Sequence, residues 1–281
     1  MDFDEALGLD MMFPEPERPP SPEPTTERYT RSKANVNRAR SDGVIAADVW
    51  ESIDVRLVGS HPLWGDHLWN AAKVFANLLD ADSKLLCEGK NVLELGAGGA
   101  LPGMVAALSG ARRVVITDYP DHDLIDNINY NVEKNVPLGI RSRVHVQGFK
   151  WGARSEGLLD ALKTSGETET PRFDLILMSD LIFNHSQHDA LLRTCEETLA
   201  PDSGRSFRTE DTSLVSTPVV LVFYTHHRPH LAHRDLNFFE KAKNRGWKCE
   251  EIFTVKMPVM FPEDSGDVEI RSTVHGWRVY R

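Results

Sequence analysis

Apolar runs alternate with stretches of helical periodicity along most of the chain. Within residues 63–80, Leu68, Ala72, Phe75 and Leu79 recur at helical spacing, which predicts an amphipathic helix. Short runs that are almost entirely apolar predict strands covered on both faces, and the alternating run RVHVQGF (143–149) predicts a further strand. The predicted strands are 91–95, 113–117, 143–149, 173–180 and 218–226. The helices predicted to alternate with them are 102–110, 121–135, 186–199 and 233–246.

The pattern changes after residue 246, where two alternating segments, 247–255 and 272–281, follow without a helical stretch between them. Alternating strands and helices fold as a mostly parallel, doubly wound α/β sheet with right-handed crossovers. We therefore predict a seven-strand sheet with a C-terminal antiparallel hairpin at one edge. Residues 154–171 and 200–217 are polar and are predicted to be surface loops.

Residues 1–45 differ in composition from the rest of the chain. Six prolines lie between positions 14 and 24, and residues 1–27 carry eight acidic side chains and one base. Such a segment buries too little apolar surface to offset the entropy of ordering, so a disordered, acidic, proline-rich tail is predicted. Residues 46–281 form the predicted globular domain.

The distribution of charge and of apolar residues argues against several classes of function. The net charge is −10, but residues 28–281 carry only −3, with no dense basic stripe for a nucleic-acid backbone. No apolar run reaches 18 residues, the first residues lack a signal-peptide pattern, and the three cysteines lie far apart. We expect a cytoplasmic monomer that binds neither membrane nor nucleic acid, and no spacing of cysteines and histidines predicts a metal site.

The most informative motif is NVLELGAGG, residues 91–99, in which a predicted strand runs into a glycine-rich turn. Gly96 and Gly98, with Ala97 between them, match the start of a dinucleotide fingerprint, but its third glycine falls on Leu101. The turn therefore predicts a nucleoside-binding site and weakens the assignment to a dinucleotide.

Two carboxylates accompany this turn. Asp118 ends the next predicted strand, where it could accept hydrogen bonds from both hydroxyls of a ribose or, alternatively, cap the following helix. Glu94 precedes the turn by two residues and could bind the ammonium of an amino-acid tail or only order the loop. Asp118 alone does not distinguish a nicotinamide cofactor from S-adenosylmethionine.

Several motifs together resemble the class I S-adenosylmethionine-dependent methyltransferases. The segments LWG (63–65), ELGAG (94–98) and SDLIFN (179–184) occur jointly, within a resemblance that spans about residues 50–281. The chain most resembles the fungal N-terminal and lysine methyltransferases of translation elongation factor 1-alpha, formerly called nicotinamide N-methyltransferase-like. One departure is Phe183, which stands where the motif has tyrosine, so no hydroxyl role carries over.

The resemblance implies a Rossmann-like methyltransferase sheet and S-adenosyl-L-methionine as the cofactor. It also implies a protein substrate, translation elongation factor 1-alpha, methylated at its N-terminal amine or an adjacent lysine. The implied cofactor contacts are Trp64, Gly96, Ala97, Gly98, Asp118, Trp151 and Ser179. An indole in a polar turn is costly unless it covers something flat, which agrees with a contact to the cofactor at both tryptophans.

The end of the fourth core strand supplies the candidate catalytic residues. Ser179 and Asp180 lie where open α/β sheets bind ligands, and Asp180 is predicted to accept a hydrogen bond from the substrate amine while Asn184 orients it. Phe183 and Tyr224 are predicted to wall the methyl channel. The histidines at 226, 227, 230 and 233 are interpreted as a polar loop beside the substrate entrance rather than a metal site.

Two other functions stay open at this level. The same cofactor site could serve a small pyridine or amine, such as nicotinamide, or the domain could bind the cofactor without catalysis and act as an interaction module. The pair Asp180 and Asn184 argues against the module, because mere binding needs no carboxylate at the methyl group.

Overall fold

The computed structural model describes residues 22–41, 49–163, 171–201 and 218–281. The strands of these residues are β1 (Thr25–Thr30), β2 (Ser52–Leu57), β3 (Asn91–Leu95), β4 (Arg113–Asp118), β5 (Val144–Gly148), β6 (Leu175–Ser179), β7 (Val219–Thr225), β8 (Lys248–Lys256) and β9 (Thr273–Tyr280). The helices are α1 (Lys33–Ser41), α2 (Asn70–Ala81), α3 (Ser83–Leu86), α4 (Leu101–Leu108), α5 (His122–Asn135), α6 (Leu138–Arg141), α7 (Glu156–Asp160), α8 (His188–Thr198), α9 (Ala232–Asn244) and α10 (Val268–Arg271).

Seven strands form one sheet in the order β5-β4-β3-β6-β7-β9-β8. The strands from β5 to β7 are parallel, whereas β9 is antiparallel to both β7 and β8. The predicted α/β class, the seven strands and the antiparallel hairpin at one edge are all confirmed. The last strand lies inside that edge, between β7 and β8.

The two faces of the sheet carry separate apolar cores. Along β3, Val92 packs into one core and Leu93 into the other, as the two-residue period of a strand requires. Helices α2, α4 and α5 cover the first face, and α8 and α9 cover the second. Because both faces are covered, the central strands consist almost wholly of apolar residues, which is why their sequences were readable as buried strands.

The topology determines where a ligand can bind. The chain passes from β3 to β4 on one side and later returns to β6 on the other side of β3. The carboxyl ends of these neighbouring strands therefore diverge at one edge of the sheet, and open α/β sheets bind their ligands in the crevice formed at such a point.

The N-terminal prediction needs correction. Strand β1 and helix α1 lie within residues 1–45, so the described part of this segment is ordered and not a loose tail. Strand β1 pairs with β2 as an antiparallel two-strand sheet. Residues 1–21 and 42–45 of the predicted tail, residues 164–170 of the first predicted surface loop and residues 202–217 of the second lie outside the described residues. The described part of the first loop contains helix α7, whose Leu158 is buried in a core, so the prediction of a surface loop is wrong there.

Composition failed here because distant residues stabilise the segment. The Arg31 guanidinium donates two hydrogen bonds to the buried Asp80 carboxylate of α2, at 2.8 and 2.7 Å, and lies over the Trp50 ring. Such bidentate, charge-assisted bonds are stronger than neutral ones. Their partner is 49 positions away in the sequence, which no local composition reveals.

An asparagine row on α5 attaches strand β2 to the main sheet. The Asn131 side chain accepts a hydrogen bond from Arg56 N–H at 2.8 Å and donates to the carbonyls of Arg56 and Gly99. Asn127 and Asn135 make similar bonds to Arg56 and Asp54. The small sheet is thereby connected to the glycine turn after β3. No helix among the described residues is long and apolar enough to cross a membrane.

Candidate active site

A cavity of about 390 Å³ opens at the carboxyl ends of β3, β4 and β6. This volume lies within the range usual for small-molecule sites. Its walls come from the loop before α2, the glycine turn, the end of β4, the segment after β5 and the residues that follow β6. The predicted site residues in its lining are Trp64, Gly96, Ala97, Gly98, Asp118, Trp151, Ser179, Asp180, Phe183 and Asn184.

The glycine turn presents its backbone to this cavity. Gly96 and Gly98 have φ values of +59° and +53°, in the left-handed region that favours glycine. A Cβ at Gly96 would lie 2.6 Å from Leu181 Cδ2 and 2.9 Å from Trp151 Cζ2. The turn is therefore closely packed on one side, and its glycine keeps the cavity open.

Asp118 stabilises the turn from the end of β4. Its Oδ2 accepts a hydrogen bond from Gly98 N–H and its Oδ1 accepts one from Tyr119 N–H, both at 2.7 Å. Burial raises the pKa of this carboxyl, whereas the two N–H donors oppose the rise. Each carboxylate oxygen can accept more than one bond, so Asp118 can still receive ribose hydroxyls.

Glu94 lies behind the turn, outside the cavity lining. It is 1% exposed, and its Oε2 accepts the N–H of Gly103 in the first turn of α4 at 2.9 Å. Burial raises the pKa of Glu94 to about 8. This arrangement supports the loop-ordering alternative, and a direct contact of Glu94 with an ammonium group stays a prediction.

Gly103 supplies the close helix–strand approach for which the dinucleotide fingerprint uses its third glycine. A Cβ at Gly103 would collide with the Glu94 carboxylate and lie 2.9 Å from Ile116 Cδ1. The glycine absent at position 101 is therefore replaced two residues later. The spacing differs from that of a dinucleotide site, but the packing problem that it solves is the same.

The two predicted tryptophans both line the cavity but differ in exposure. Trp64 is 44% exposed at the rim and has a φ of +62°, which is rare for a bulky residue. Its carbonyl accepts a hydrogen bond from Trp69 Nε1–H at 3.2 Å. Trp151 is partly buried, lies close to Gly96 of the glycine turn and packs against the core cluster that contains Leu181. Strained backbone of this kind is concentrated at ligand-binding sites.

Asp180 is the central acid of the other half of the cavity. It is 5% exposed and adopts a left-handed φ of +53°, while its N–H donates to the Phe223 carbonyl at 2.7 Å. Its Oδ1 accepts hydrogen bonds from Thr225 N–H at 3.0 Å and from His227 Nε2–H at 3.1 Å. Its buried Oδ2 has no partner in the described protein.

The residues predicted to accompany Asp180 divide into two groups. Phe183 is 42% exposed at the cavity rim, and Asn184 Oδ1 accepts a hydrogen bond from the Ser186 hydroxyl at 2.9 Å. The prediction for Tyr224 is wrong. Tyr224 is 2% exposed, belongs to a core and stacks on His275, because alternate residues of β7 face opposite sides of the sheet.

The histidines after β7 do not act as one group. His226 Nδ1 and His185 Nε2 both contact the buried carboxylate of Asp235, at 2.6 and 2.7 Å. His227 instead contacts Asp180, whereas His230 and His233 are exposed. Among the described residues, no group of three or more metal-binding side chains is arranged around a common point.

The structure adds two residues to the part of the cavity around Asp180. Trp69 was not predicted as a site residue, and His227 was predicted only as one member of a polar histidine loop beside the substrate entrance. Trp69 lines the cavity, and its ring meets that of His227 edge-to-face at a centroid distance of 4.7 Å. His227 follows the end of β7 by two positions, at the same edge of the sheet as Asp180. Its position just after the carboxyl end of β7 could have indicated a site residue. The sequence does not show, however, which of the four histidines at 226, 227, 230 and 233 contacts Asp180.

The residues present fit S-adenosylmethionine. The Gly96 cradle would be filled by a Cβ, Asp118 stands at the end of β4, and the buried Ser179 hydroxyl at the cavity has no hydrogen-bond partner among the described residues. When bound, this cofactor supplies a methyl group already activated on a sulfonium. The protein then has to position the acceptor and keep its nitrogen lone pair free.

Fold and site together define an S-adenosylmethionine-dependent methyltransferase of class I. The fold is shared with a candidate S-adenosylmethionine-dependent methyltransferase from Streptococcus mutans, at a TM-score of 0.53 and 14% identity, with 80% of this chain and 53% of that chain covered. It is also shared with a candidate methyltransferase solved with SAH, at a TM-score of 0.52, 12% identity and the same coverage.

Sequence relatives define the family. A family model described as lysine methyltransferase matches residues 59–244. The chain is 42% identical to protein N-terminal and lysine N-methyltransferase EFM7 of Cryptococcus neoformans over 98% of this chain and 89% of that protein. It is 39% identical to efm7 of Schizosaccharomyces pombe, with 98% and 95% covered. The chain therefore belongs to the lysine methyltransferase family, in the group that contains EFM7.

Proposed function

We propose that this methyltransferase modifies the N-terminal amine, or an adjacent lysine, of translation elongation factor 1-alpha. Protein amines are the acceptors named for the EFM7 relatives. The particular substrate is proposed from the resemblance of the LWG, ELGAG and SDLIFN motifs to the elongation-factor methyltransferases. On this proposal the enzyme acts as a monomer in the cytoplasm, where it meets its substrate, and makes no direct contact with nucleic acid.

The free Oδ2 of Asp180 carries the proposal. It is a buried acceptor without a partner, on a residue that lines the cavity, and a buried unpaired carboxylate oxygen is costly unless something donates to it. An amine of the substrate supplies such a donor. Ser179, Asp180 and Phe183 then bring the acceptor to the cofactor half of the same cavity.

The rim of the cavity favours a polypeptide over a small molecule. Four large side chains of its lining are between 42% and 47% exposed: Leu63, Trp64, Tyr119 and Phe183. Exposed apolar side chains grouped in this way mark surfaces that bind a partner. A small pyridine enclosed at Asp180 would leave this rim without a role.

Proton affinity distinguishes the two candidate amines. At neutral pH, removing the proton from a lysine costs roughly 4 kcal/mol, whereas an N-terminal amine needs about 1 kcal/mol. The cavity lining contains two carboxylates, Asp118 and Asp180, and Asp118 is bound to the glycine turn. That leaves Asp180 and the amide of Asn184 for the acceptor amine. The N-terminal amine is therefore the easier acceptor for this site.

The proposal is tested by methyl transfer from labelled S-adenosylmethionine to a peptide with the N-terminal sequence of elongation factor 1-alpha. We expect labelling of the free peptide and a rate that rises with pH to about 8, where an N-terminal amine loses its proton. Matched peptides carry an acetylated N-terminus or arginine in place of the adjacent lysine, which assigns the label to one amine. Nicotinamide labelled in preference to every peptide would contradict the proposal.

A further inference from the structure

The two oxygens of Asp180 have unequal surroundings. Oδ1 receives both available donors, the Thr225 N–H and the His227 ring, while Oδ2 receives none from the described protein. A carboxylate that can rotate exchanges its oxygens, so an unequal arrangement needs restraints. Both restraints come from one place, the end of β7 and the two residues after it.

The backbone makes the arrangement rigid on the Asp180 side. Its N–H is bound to the Phe223 carbonyl, and its φ of +53° is held although aspartate has a Cβ. Residues in such conformations persist only when their surroundings over-determine them. The Thr225 N–H is a backbone group of β7, the strand that also contains Phe223, so a side-chain substitution does not remove it. His227 is therefore the restraint on Asp180 that a substitution can remove.

His227 is suited to act as a donor. Because Oδ1 is a carboxylate oxygen, Nε2 must carry the proton of the bond. Burial lowers the pKa of His227, but the negative charges of Asp180 and Asp235 outweigh both burial and the nearby Arg228, so that the pKa is raised. The neutral ring can donate through Nε2 as well, so the hydrogen bond does not depend on protonation of the ring.

The ring of His227 also packs edge-to-face on Trp69. This contact fixes the plane of the imidazole and connects it to a residue of the cavity wall. Two roles are thus combined in one side chain: a hydrogen bond to Asp180 and an aromatic contact. They make different demands on a substituted side chain, so they can be separated experimentally.

We propose that His227 is a positioning residue for methyl transfer, which holds Oδ1 of Asp180 so that Oδ2 is left to accept the substrate amine. The inference rests on the proposed function, because it requires an amine at Asp180. His227 acts through Asp180 and does not itself contact the reacting atoms. Removing its donor frees the carboxylate to turn away from the amine.

Three substitutions test the proposal on the full chain, with the elongation-factor peptide and labelled S-adenosylmethionine. His227→Ala removes both roles and is expected to lower kcat about tenfold, in line with the loss of a hydrogen bond to a charged group. His227→Phe keeps an aromatic contact with Trp69 but no donor, and is expected to match alanine. His227→Gln keeps a donor near the position of Nε2 and is expected to restore kcat to within about threefold of the wild type.

Further measurements separate positioning from structure. The affinity for S-adenosylmethionine is expected to stay unchanged in His227→Gln and His227→Phe. The thermal midpoint is expected to stay unchanged in His227→Gln and to fall in His227→Phe, because the buried Asp180 carboxylate loses a donor there. Exposed His233→Ala serves as the matched control. Wild-type kcat in the phenylalanine variant, or no recovery in the glutamine variant, would overturn the positioning role.

A failure of the substrate assignment is distinguishable from a failure of the positioning role. All variants are also assayed on a cell lysate. Labelling of a lysate protein but not of the peptide removes the substrate assignment alone, and the variant series is then compared on that protein. A wild type that labels no protein amine overturns both proposals.

Discussion

The two halves of the cavity are built from different parts of the chain. In the half of the cavity proposed to bind the cofactor, the groups that face the cavity are largely backbone, at Gly96 and Gly98, supported by Asp118 one strand away. In the acceptor half, the important groups are side chains, and Asp180 depends on His227, 47 positions further along. Backbone N–H and C=O groups remain when most side chains are substituted. A side-chain acceptor such as the Asp180 carboxylate is instead lost by a single substitution to asparagine.

This difference indicates how such an enzyme can keep one cofactor and change its acceptor. The glycine turn is stabilised by its own strand and by the neighbouring β4, so the cofactor half does not depend on the end of β7. The acceptor half is assembled from β6, β7 and the loop before α2. Changes at the end of β7, which carries neither the turn nor a predicted cofactor contact, are therefore expected to alter the acceptor and to leave the turn in place.

The largest effect is expected from Asp180→Asn, which affects only the acceptor half. The amide oxygen can still accept from Thr225 N–H and His227, but the amide nitrogen would replace the free Oδ2 by a donor. We expect kcat to fall at least about 100-fold, as for loss of a positioned acid or base. Affinity for S-adenosylmethionine, measured by calorimetry, should change less than about twofold. Full kcat with full peptide affinity would show that the Asp180 assignment is wrong.

The matching test of the cofactor half is Gly96→Ala. The added Cβ meets Leu181 and Trp151, and the left-handed φ adds strain. We expect cofactor affinity to fall about tenfold or more, together with a loss of about 1–2 kcal/mol in the free energy of unfolding. Gly89→Ala is the control, since Gly89 has a φ of +69° but nothing within 4 Å of the added Cβ. Because Gly89 is not part of the cavity lining, an equal loss of affinity in both variants would show that general destabilisation, not the close packing at Gly96, is responsible.

The smallest expected effect concerns the buried carboxyl behind the turn. Because the pKa of Glu94 is raised to about 8 from an ordinary 4.5, the folded protein keeps a proton that the unfolded chain releases between these values. The unfolding free energy contributed by this group therefore falls as pH rises through that window. Glu94→Gln removes this titrating group. Between pH 5 and pH 9, the unfolding free energy of the variant should therefore rise by about 1–3 kcal/mol relative to that of the wild type.

This last comparison is measured by urea unfolding without cofactor at both pH values. Exposed Glu263→Gln is the control and should show no such gain. Parallel pH dependences for wild type and Glu94→Gln would mean that Glu94 is ionised in the folded protein. In that case an ammonium-binding role would regain support over loop ordering.

The sequence was most informative where structure is local. The strand, glycine turn and acid around Gly96 and Asp118 are close in sequence, and the central strands are apolar because both faces are covered. Prediction failed where the decisive partner is remote. The segment of β1 and α1 depends on Arg31 reaching Asp80, and the acceptor half depends on His227 reaching Asp180. The prediction that Tyr224 lines the methyl channel was wrong for a different reason. In a strand that is apolar throughout, the sequence does not show which face of the sheet each side chain occupies.

The position of β9 has a consequence for how the chain acquires its shape during translation. Strand β8 is synthesised before β9, yet in the finished sheet its only strand neighbour among the described residues is β9. It must therefore wait with both edges unpaired while β7 also lacks one neighbour. A single late segment then closes two gaps at once, at Thr273–Tyr280. The edge of the sheet from β7 to β8 therefore cannot be completed before its last segment has been synthesised.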